Sequence, residues 1–189
     1  MLVILLGLLL WTIPHVYKAA APASHAALVG QWGEGPVKIA VTAASVLAIA
    51  LMVWGYAIEG GYANVFTPPT WGWHLNNLLM LFSMILLGAG HMKSNVRQVI
   101  RHPMLTAALI WSVAHILANG TGRAVLLFGG LGAWAVLHMI LLNRRDGAWV
   151  RPPKSPVKKD AIAIVAGVVV YGAVAMIHWK VFGLSPFPS

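Results

Sequence analysis

Six apolar runs divide this chain, and they restrict it to folds that span a membrane. They cover residues 2–17, 39–58, 75–90, 104–118, 124–142 and 161–182. An upright transmembrane helix needs about 20 mostly apolar residues, and shorter runs can use aromatic flanks or a locally thinned bilayer. Only 9% of the 189 residues are charged and the mean hydropathy is +0.79, whereas a soluble domain carries about 25% charged residues. The sequence therefore predicts an all-α, polytopic membrane bundle of about six helices, with residues 1–189 in a single transmembrane domain.

The distribution of Lys and Arg predicts the orientation of these helices. Most of the 13 basic residues lie in the linkers after the first, third and fifth runs. They are Lys18, Lys38, Lys93, Arg97, Arg101, Arg144, Arg145, Arg151, Lys154, Lys158 and Lys159. Only Arg123 and Lys180 fall on the other side. Basic linkers stay in the cytoplasm, so we expect both termini outside. The net charge of +9 then reflects topology and membrane lipids as partners, and it does not indicate nucleic-acid binding.

Two linkers carry further signals. Residues 144–160 form a basic cytoplasmic linker, and its segment 152–156 is the expected attraction point for anionic lipid. Residues 22–36 predict a stretch along the cytoplasmic interface, with Ser24 as a candidate helix N-cap.

Small residues and the N-terminal run lead to two more expectations. Gly129 and Ala133 lie four residues apart, a spacing that permits close packing of the fifth helix. The first run lacks a basic segment before it, so we expect a retained helix and not a cleaved signal peptide.

The composition excludes several chemistries. There are no cysteines, so disulfides, thiolate metal sites, iron–sulfur clusters and covalently attached haem are ruled out. The acids are Glu34, Glu59, Asp146 and Asp160, and they offer neither a carboxylate pair nor a Ser-His-Asp arrangement. No H-E-x-x-H, phosphate loop or G-x-G-x-x-G is present. The eight histidines are therefore the candidate metal ligands.

The stretch from Arg101 to Gly120 combines costly polar groups with a short apolar run. A helix that begins at Pro103 places His115 roughly 18 Å further along the axis. His74 and His178 fall at a similar level, in the outer half. The other histidines outside the 22–36 linker belong nearer the cytoplasmic side: His15, His91, His102 and His138.

Each histidine has a structural alternative to ligation. His115 is either an axial ligand, with Ser112 and Asn119 as supporting partners, or a neutral imidazole bonded to a carbonyl or to Asn119. His102 is more simply a helix cap, and His74 is either a ligand or part of an interfacial Trp–His belt. Arg101 suits a haem propionate or a lipid phosphate. Three Trp–His pairs with i, i+4 spacing predict stacked rings: Trp11/His15, Trp111/His115 and Trp134/His138.

Several motifs resemble a known family. They are residues 53–56, 67–74, 101–105, 126–130 and Trp111-x-x-Ala114-His115-x-Leu117-Ala118-Asn119-Gly120. The chain resembles the NnrU family, bacterial membrane proteins named from denitrification gene clusters, and it is more distantly similar to the plant zeta-carotene isomerase family. The similarity reaches from about residue 6 to residue 147. The family usually has an acid after Asn-Gly, and here Thr121 takes that place.

The resemblance implies a b-type haem held by histidines. It places the motif histidine at His115 and the first-helix histidine at His15. The level of the helix ends instead favours His74 as the second ligand, because a six-coordinate haem needs two imidazoles at nearly one depth, so both candidates stay open.

The same resemblance implies a function. It is a redox or maturation role beside respiratory nitrogen-oxide enzymes in the bacterial inner membrane. The alternatives are a haem-dependent cis–trans isomerase of a polyene lipid and a cofactor-free assembly protein. The sequence does not indicate a substrate, an electron donor or an oligomeric state.

Overall fold

The described residues form helices and no strand, apart from one isolated β-bridge between Asn64 and Thr121. The computed structural model describes residues 1–58 and 63–187, so Glu59 lies outside the described residues. The α-helices are α1 (Leu2–Ala20), α2 (Pro22–Trp32), α3 (Glu34–Ile58), α4 (Gly72–His91), α5 (Pro103–Ala118), α6 (Gly122–Asp146) and α7 (Lys158–Phe182). A short 3₁₀ helix covers Asn95–Gln98. The predicted all-α class is confirmed.

The helices match the apolar runs of the sequence. Five of them, α1, α3, α4, α6 and α7, are long and apolar enough to cross a membrane, and α5 is a shorter apolar helix of 16 residues. Large apolar side chains face outward along them, with Ile39 71% exposed and Val165 62% exposed. An apolar outer surface suits lipid contact, and in a bilayer backbone polar groups must be paired internally, as a helix pairs them. The chain is a multi-pass membrane protein.

Two details of the linkers differ from the sequence prediction. Ser24 is not an N-cap, because α2 begins at Pro22, whose ring suits the first helical turn. The Ser24 hydroxyl instead hydrogen-bonds the Tyr17 hydroxyl at 2.5 Å. The irregular part of the predicted linker 144–160 is also shorter than expected, because α6 continues to Asp146 and α7 begins at Lys158.

The described helices form two compact units. Unit 1 comprises Met1–Val65 and Thr121–Ala148, and unit 2 comprises Phe66–Gly120 and Trp149–Ser189. In unit 1, α1 packs against α3 and α6. A Cβ added at Gly7 of α1 would lie 2.7 Å from the Met52 Cγ and 2.9 Å from the Ala48 carbonyl oxygen of α3. The absence of a side chain at Gly7 therefore allows this close approach, as small residues do in membrane bundles.

The close contact predicted at Gly129 is wrong. No described atom lies within 4 Å of a Cβ built there, whereas one built at Gly130 would lie 2.6 Å from the Leu8 Cδ1. Spacing alone identifies small residues on a helix, but the face that packs is decided by the neighbouring helix.

In unit 2, α4 packs against both α5 and α7. At one end of the antiparallel pair α4–α5, a Cβ on Gly72 would lie 2.6 Å from the Leu117 carbonyl oxygen. Further along, the Ser83 hydroxyl donates to the Ala107 carbonyl oxygen at 2.8 Å. These two contacts fix the register of α4 against α5, and they set which side chains meet near His115.

Candidate functional site

Two of the Trp–His pairs share one local geometry. The Nδ1 of His115 lies 2.9 Å from the Trp111 carbonyl oxygen, and the Nδ1 of His15 lies 2.6 Å from the Trp11 carbonyl oxygen. A carbonyl oxygen only accepts, so Nδ1 is the donor in both hydrogen bonds, and in the neutral form of either ring the lone pair is then on Nε2. Metal-binding histidines commonly donate their second nitrogen to a carbonyl in this way, which fixes the tautomer and the ring orientation.

His15 lies in an aromatic cluster of unit 1. Its ring stacks on Trp11 at a centroid distance of 4.1 Å, and Trp134 meets it edge-on at 5.7 Å. The indole N–H atoms of Trp11 and Trp134 are buried and have no hydrogen-bond partner. A buried donor left unpaired costs about 1–3 kcal/mol. This cluster therefore offers two indole N–H donors, beside the imidazole of His15, that a bound group could accept from.

The pairs Trp111/His115 and Trp134/His138 do not stack as predicted. The rings of Trp111 and His115 are tilted by 46° at 4.7 Å, and those of Trp134 and His138 by 50° at 5.8 Å. Only Trp11 and His15, at 24°, are close to parallel. The i, i+4 spacing brings each pair into contact, but the ring angle follows the surrounding packing.

A buried polar pair accompanies His115 in unit 2. Ser112, one turn before His115, is 1% exposed, and its hydroxyl has no hydrogen-bond partner. Asn76 of α4 is 7% exposed, and its Oδ1 also lacks a partner. Both residues lie between the Gly72–Leu117 and Ser83–Ala107 contacts, on facing helices. A bound group or ordered water at this level would have an acceptor and a hydroxyl available.

Asn76 is a site residue that the sequence analysis missed. The pair Asn76-Asn77 interrupts an apolar run, which was the available signal because polar groups at membrane depth are costly. Its neighbour Asn77 is paired: its amide donates to the Pro186 carbonyl oxygen at 2.8 Å, and its Oδ1 accepts from the Tyr171 hydroxyl at 3.3 Å.

Other histidines share the end of unit 2 that holds His115. His74 lies in the first turn of α4, two residues after the Gly72–Leu117 contact, and it is exposed. His178 lies in α7, four residues before Phe182 at the end of that helix. The Nδ1 of His178 donates to the Leu184 carbonyl oxygen at 2.7 Å.

Comparison with known proteins identifies one family. The family model described as NnrU protein matches residues 3–186, nearly the whole chain. The chain belongs to the NnrU family. No curated protein and no solved structure matches it.

In this NnrU family member, the residues of the Arg101–Gly120 stretch lie at opposite ends of one helix. Pro103 is the first residue of α5 and His102 is its N-cap, with no side-chain cap hydrogen bond. The His102 carbonyl oxygen accepts from the Thr106 hydroxyl at 3.0 Å. Asn119 is the C-cap, with extended backbone, and its backbone N–H donates to the Ile116 carbonyl oxygen. Arg101 and His102 are thus separated from His115 by most of the helix.

The candidate ligands are single imidazoles on separate helices. Among the residues that the structure describes, no three His, Asp or Glu side chains come together as a chelating group for a metal ion. A haem needs less from the protein, because its porphyrin supplies four nitrogen ligands and the chain supplies one or two axial groups. The local geometry of His115 and His15 is suited to that role.

Proposed function

We propose that this chain is a membrane-embedded b-type haem-binding protein in which the Nε2 of His115 is an axial ligand. The observation that supports this most directly is the hydrogen bond from Nδ1 of His115 to the Trp111 carbonyl oxygen. It holds the imidazole in the tautomer that a haem iron requires and fixes its orientation. The neighbouring Ser112 hydroxyl and Asn76 Oδ1, both buried without partners, are available to a bound group and its waters.

The second axial position has two candidates. His15 repeats the Nδ1-to-carbonyl geometry of His115 within unit 1. His74 belongs to the same unit as His115 and lies at the same end of α4 and α5. Substitution of each residue separates these two assignments.

Arg101 does not belong to the haem site in this proposal. Pro103, the first residue of α5, lies twelve residues before His115, which corresponds to roughly 18 Å along the axis, and Arg101 precedes Pro103. A propionate of a haem bound at His115 would not reach that far. Asn119 ends the helix one turn after His115, so its role is to terminate α5 beside the site.

The proposed cellular role is redox transfer or maturation beside respiratory nitrogen-oxide enzymes in the bacterial inner membrane. A bound haem supplies one-electron redox chemistry. The chain contributes axial imidazoles, apolar helices that exclude water, and an environment nearly free of acids. Both the role and the assignment to the bacterial inner membrane rest on the family resemblance.

The test is an absorption spectrum of the full chain, expressed with haem supply and purified in detergent. We expect a Soret band that shifts on reduction with dithionite. His115→Ala should abolish or convert the band, because the fixed imidazole is removed. His138→Ala is the matched control, since it removes an imidazole of another Trp–His pair that is assigned no axial position, and the band should remain.

Two further outcomes are informative. Well-folded protein without a Soret band would refute haem binding altogether. If the band is present, either His15→Ala or His74→Ala should convert a six-coordinate spectrum to a five-coordinate one, which assigns the second ligand. Turnover of a cis-polyene by the reduced protein would instead support the isomerase function.

A further inference from the structure

Asn95 fastens the linker before α7 to the connection between α4 and α5. Its side-chain amide donates to the Ser155 carbonyl oxygen at 2.9 Å and to the Asp160 Oδ2 at 2.6 Å. Its Oδ1 accepts from the Ser155 backbone N–H at 2.8 Å, and its own backbone N–H donates to the Asp160 Oδ1 at 2.7 Å. The N–H groups and the oxygen of this amide side chain are thus all hydrogen-bonded to residues at least 60 positions away in the sequence.

Two more contacts complete this cluster. The Ser155 hydroxyl donates to the Lys93 carbonyl oxygen at 2.7 Å, and the Gln98 amide donates to the Pro152 carbonyl oxygen. Lys93 has a positive φ of 52°, which is uncommon outside glycine and is maintained only where the surroundings impose it. We call these six residues the Asn95 cluster: Lys93, Asn95, Gln98, Pro152, Ser155 and Asp160.

The Asn95 cluster brings basic residues from three segments to one end of unit 2. They come from the α4–α5 connection, the linker before α7 and the first turn of α7, and they are Lys93, Arg97, Arg151, Lys154, Lys158 and Lys159. Lys93, Arg151, Lys154 and Lys158 are exposed. Mutual repulsion of these cations favours separation of the segments. The hydrogen bonds hold them together against that repulsion.

These cations keep their charge unneutralised. Asp160 is the one acid of unit 2 within the described chain, and both of its oxygens accept from Asn95. Across residues 1–58 and 63–187, no ion pair involves any of the six basic side chains. Ion pairs of unit 1 join Lys38 to Glu34 and Arg145 to Asp146. This end of unit 2 is therefore strongly electropositive.

The position of the cluster matches the headgroup layer of a bilayer. It lies where α4 ends at His91, α5 begins at Pro103 and α7 begins at Lys158. The phosphates of lipids sit just beyond the hydrocarbon that such helices span. Basic groups at helix ends on the cytoplasmic side bind acidic lipid headgroups.

We propose that the Asn95 cluster builds a specific site for the phosphate of an anionic phospholipid. The inference goes beyond a general attraction of the basic linker to membrane, because the hydrogen bonds of Asn95 hold together the segments that carry these cations. It is independent of haem binding. Its occupant is a lipid of the membrane that the chain itself spans.

The experiment measures lipid binding to the full chain in detergent by native mass spectrometry. Phosphatidylglycerol and cardiolipin are the anionic probes, and phosphatidylcholine is the zwitterionic control. Asn95→Ala leaves the net charge unchanged but removes the three hydrogen bonds of the side chain, so we expect its affinity for the anionic probes to fall by about five- to tenfold. Asp160→Asn removes one negative charge and so raises the net charge by one, yet it should also weaken binding because it disrupts the same contacts.

These two variants separate a built site from diffuse attraction. Under diffuse attraction, Asn95→Ala would bind as the unchanged chain does and Asp160→Asn would bind more tightly, and this result would overturn the proposal. Equal binding of phosphatidylcholine, or displacement of the lipid by inorganic phosphate at matched concentration, would overturn it as well.

A third variant keeps the test decisive if Asn95→Ala fails to fold. Lys154→Gln/Lys159→Gln removes two charges and none of the cluster's hydrogen bonds, and it should lower the affinity for the anionic probes by at least about fivefold. Lys180→Gln, near the opposite end of α7, is the charge control and should leave the affinity unchanged. Equal effects of the two variants would contradict the proposed location.

Discussion

The contact between α4 and α7 predicts opposite outcomes for two glycines of one helix. A Cβ at Gly167 would lie 2.5 Å from the Ile85 Cα and 2.7 Å from its backbone nitrogen, whereas nothing lies within 4 Å of one at Gly172. Backbone atoms cannot rotate away, and overpacking of this kind costs about 1–3 kcal/mol. Replacing glycine by alanine inside a helix gains up to about 1 kcal/mol, and both sites share this gain.

The difference between the two variants therefore isolates the packing. We expect Gly172→Ala to be as stable as the unchanged chain or up to about 1 kcal/mol more stable. Gly167→Ala should be less stable than Gly172→Ala by about 1–3 kcal/mol. The assay is denaturant unfolding in detergent, followed by tryptophan fluorescence, with helix content checked by circular dichroism. Equal stability of the two variants would show that α7 does not approach α4 at Ile85.

Two other substitutions test single polar contacts by the same unfolding assay. Ser112→Ala, in protein purified without cofactor, should leave the free energy of unfolding unchanged or raise it by up to about 1 kcal/mol, because the buried hydroxyl has no partner. A loss above about 1 kcal/mol would show that the hydroxyl is hydrogen-bonded. Arg123→Gln should cost about 1–3 kcal/mol, because its guanidinium donates to the Tyr56 carbonyl oxygen at 2.9 Å and lies 4.4 Å from the Tyr56 ring centroid. Lys180→Gln is the control for Arg123→Gln, and a similar loss in both would contradict a specific role for Arg123.

The membrane character of the fold follows from the sequence because burial in lipid is a matter of composition. Apolar runs and basic linkers predict helices directly, and Pro103 marks the first turn of α5 as expected. The packing of the helices is harder to predict from the sequence. Gly129 and Gly130 are adjacent in the sequence, yet only Gly130 faces α1, because the interacting face depends on a helix that lies far away in the chain.

The candidate site divides in the same way. His115 stands out because an imidazole at membrane depth is costly, and the separation of Arg101 from His115 follows from the rise of a helix. The pairing of Nδ1 with the Trp111 carbonyl oxygen and the burial of Asn76 depend on tertiary contacts. So does the engagement of Asn95 by a linker some 60 residues away. The prediction of a single transmembrane domain and the orientation of the termini remain predictions.

The most direct test of axial ligation is the haem content of His115→Gly with and without added imidazole. The small residue opens space for a free imidazole, which can replace the missing side chain as a ligand. We predict that the unchanged chain binds b-type haem, that His115→Gly loses it, and that imidazole restores both the haem and its Soret band. Full haem content in His115→Gly without imidazole would show that His115 is not the ligand, and absence of haem from the folded, unchanged chain would contradict the account as a whole.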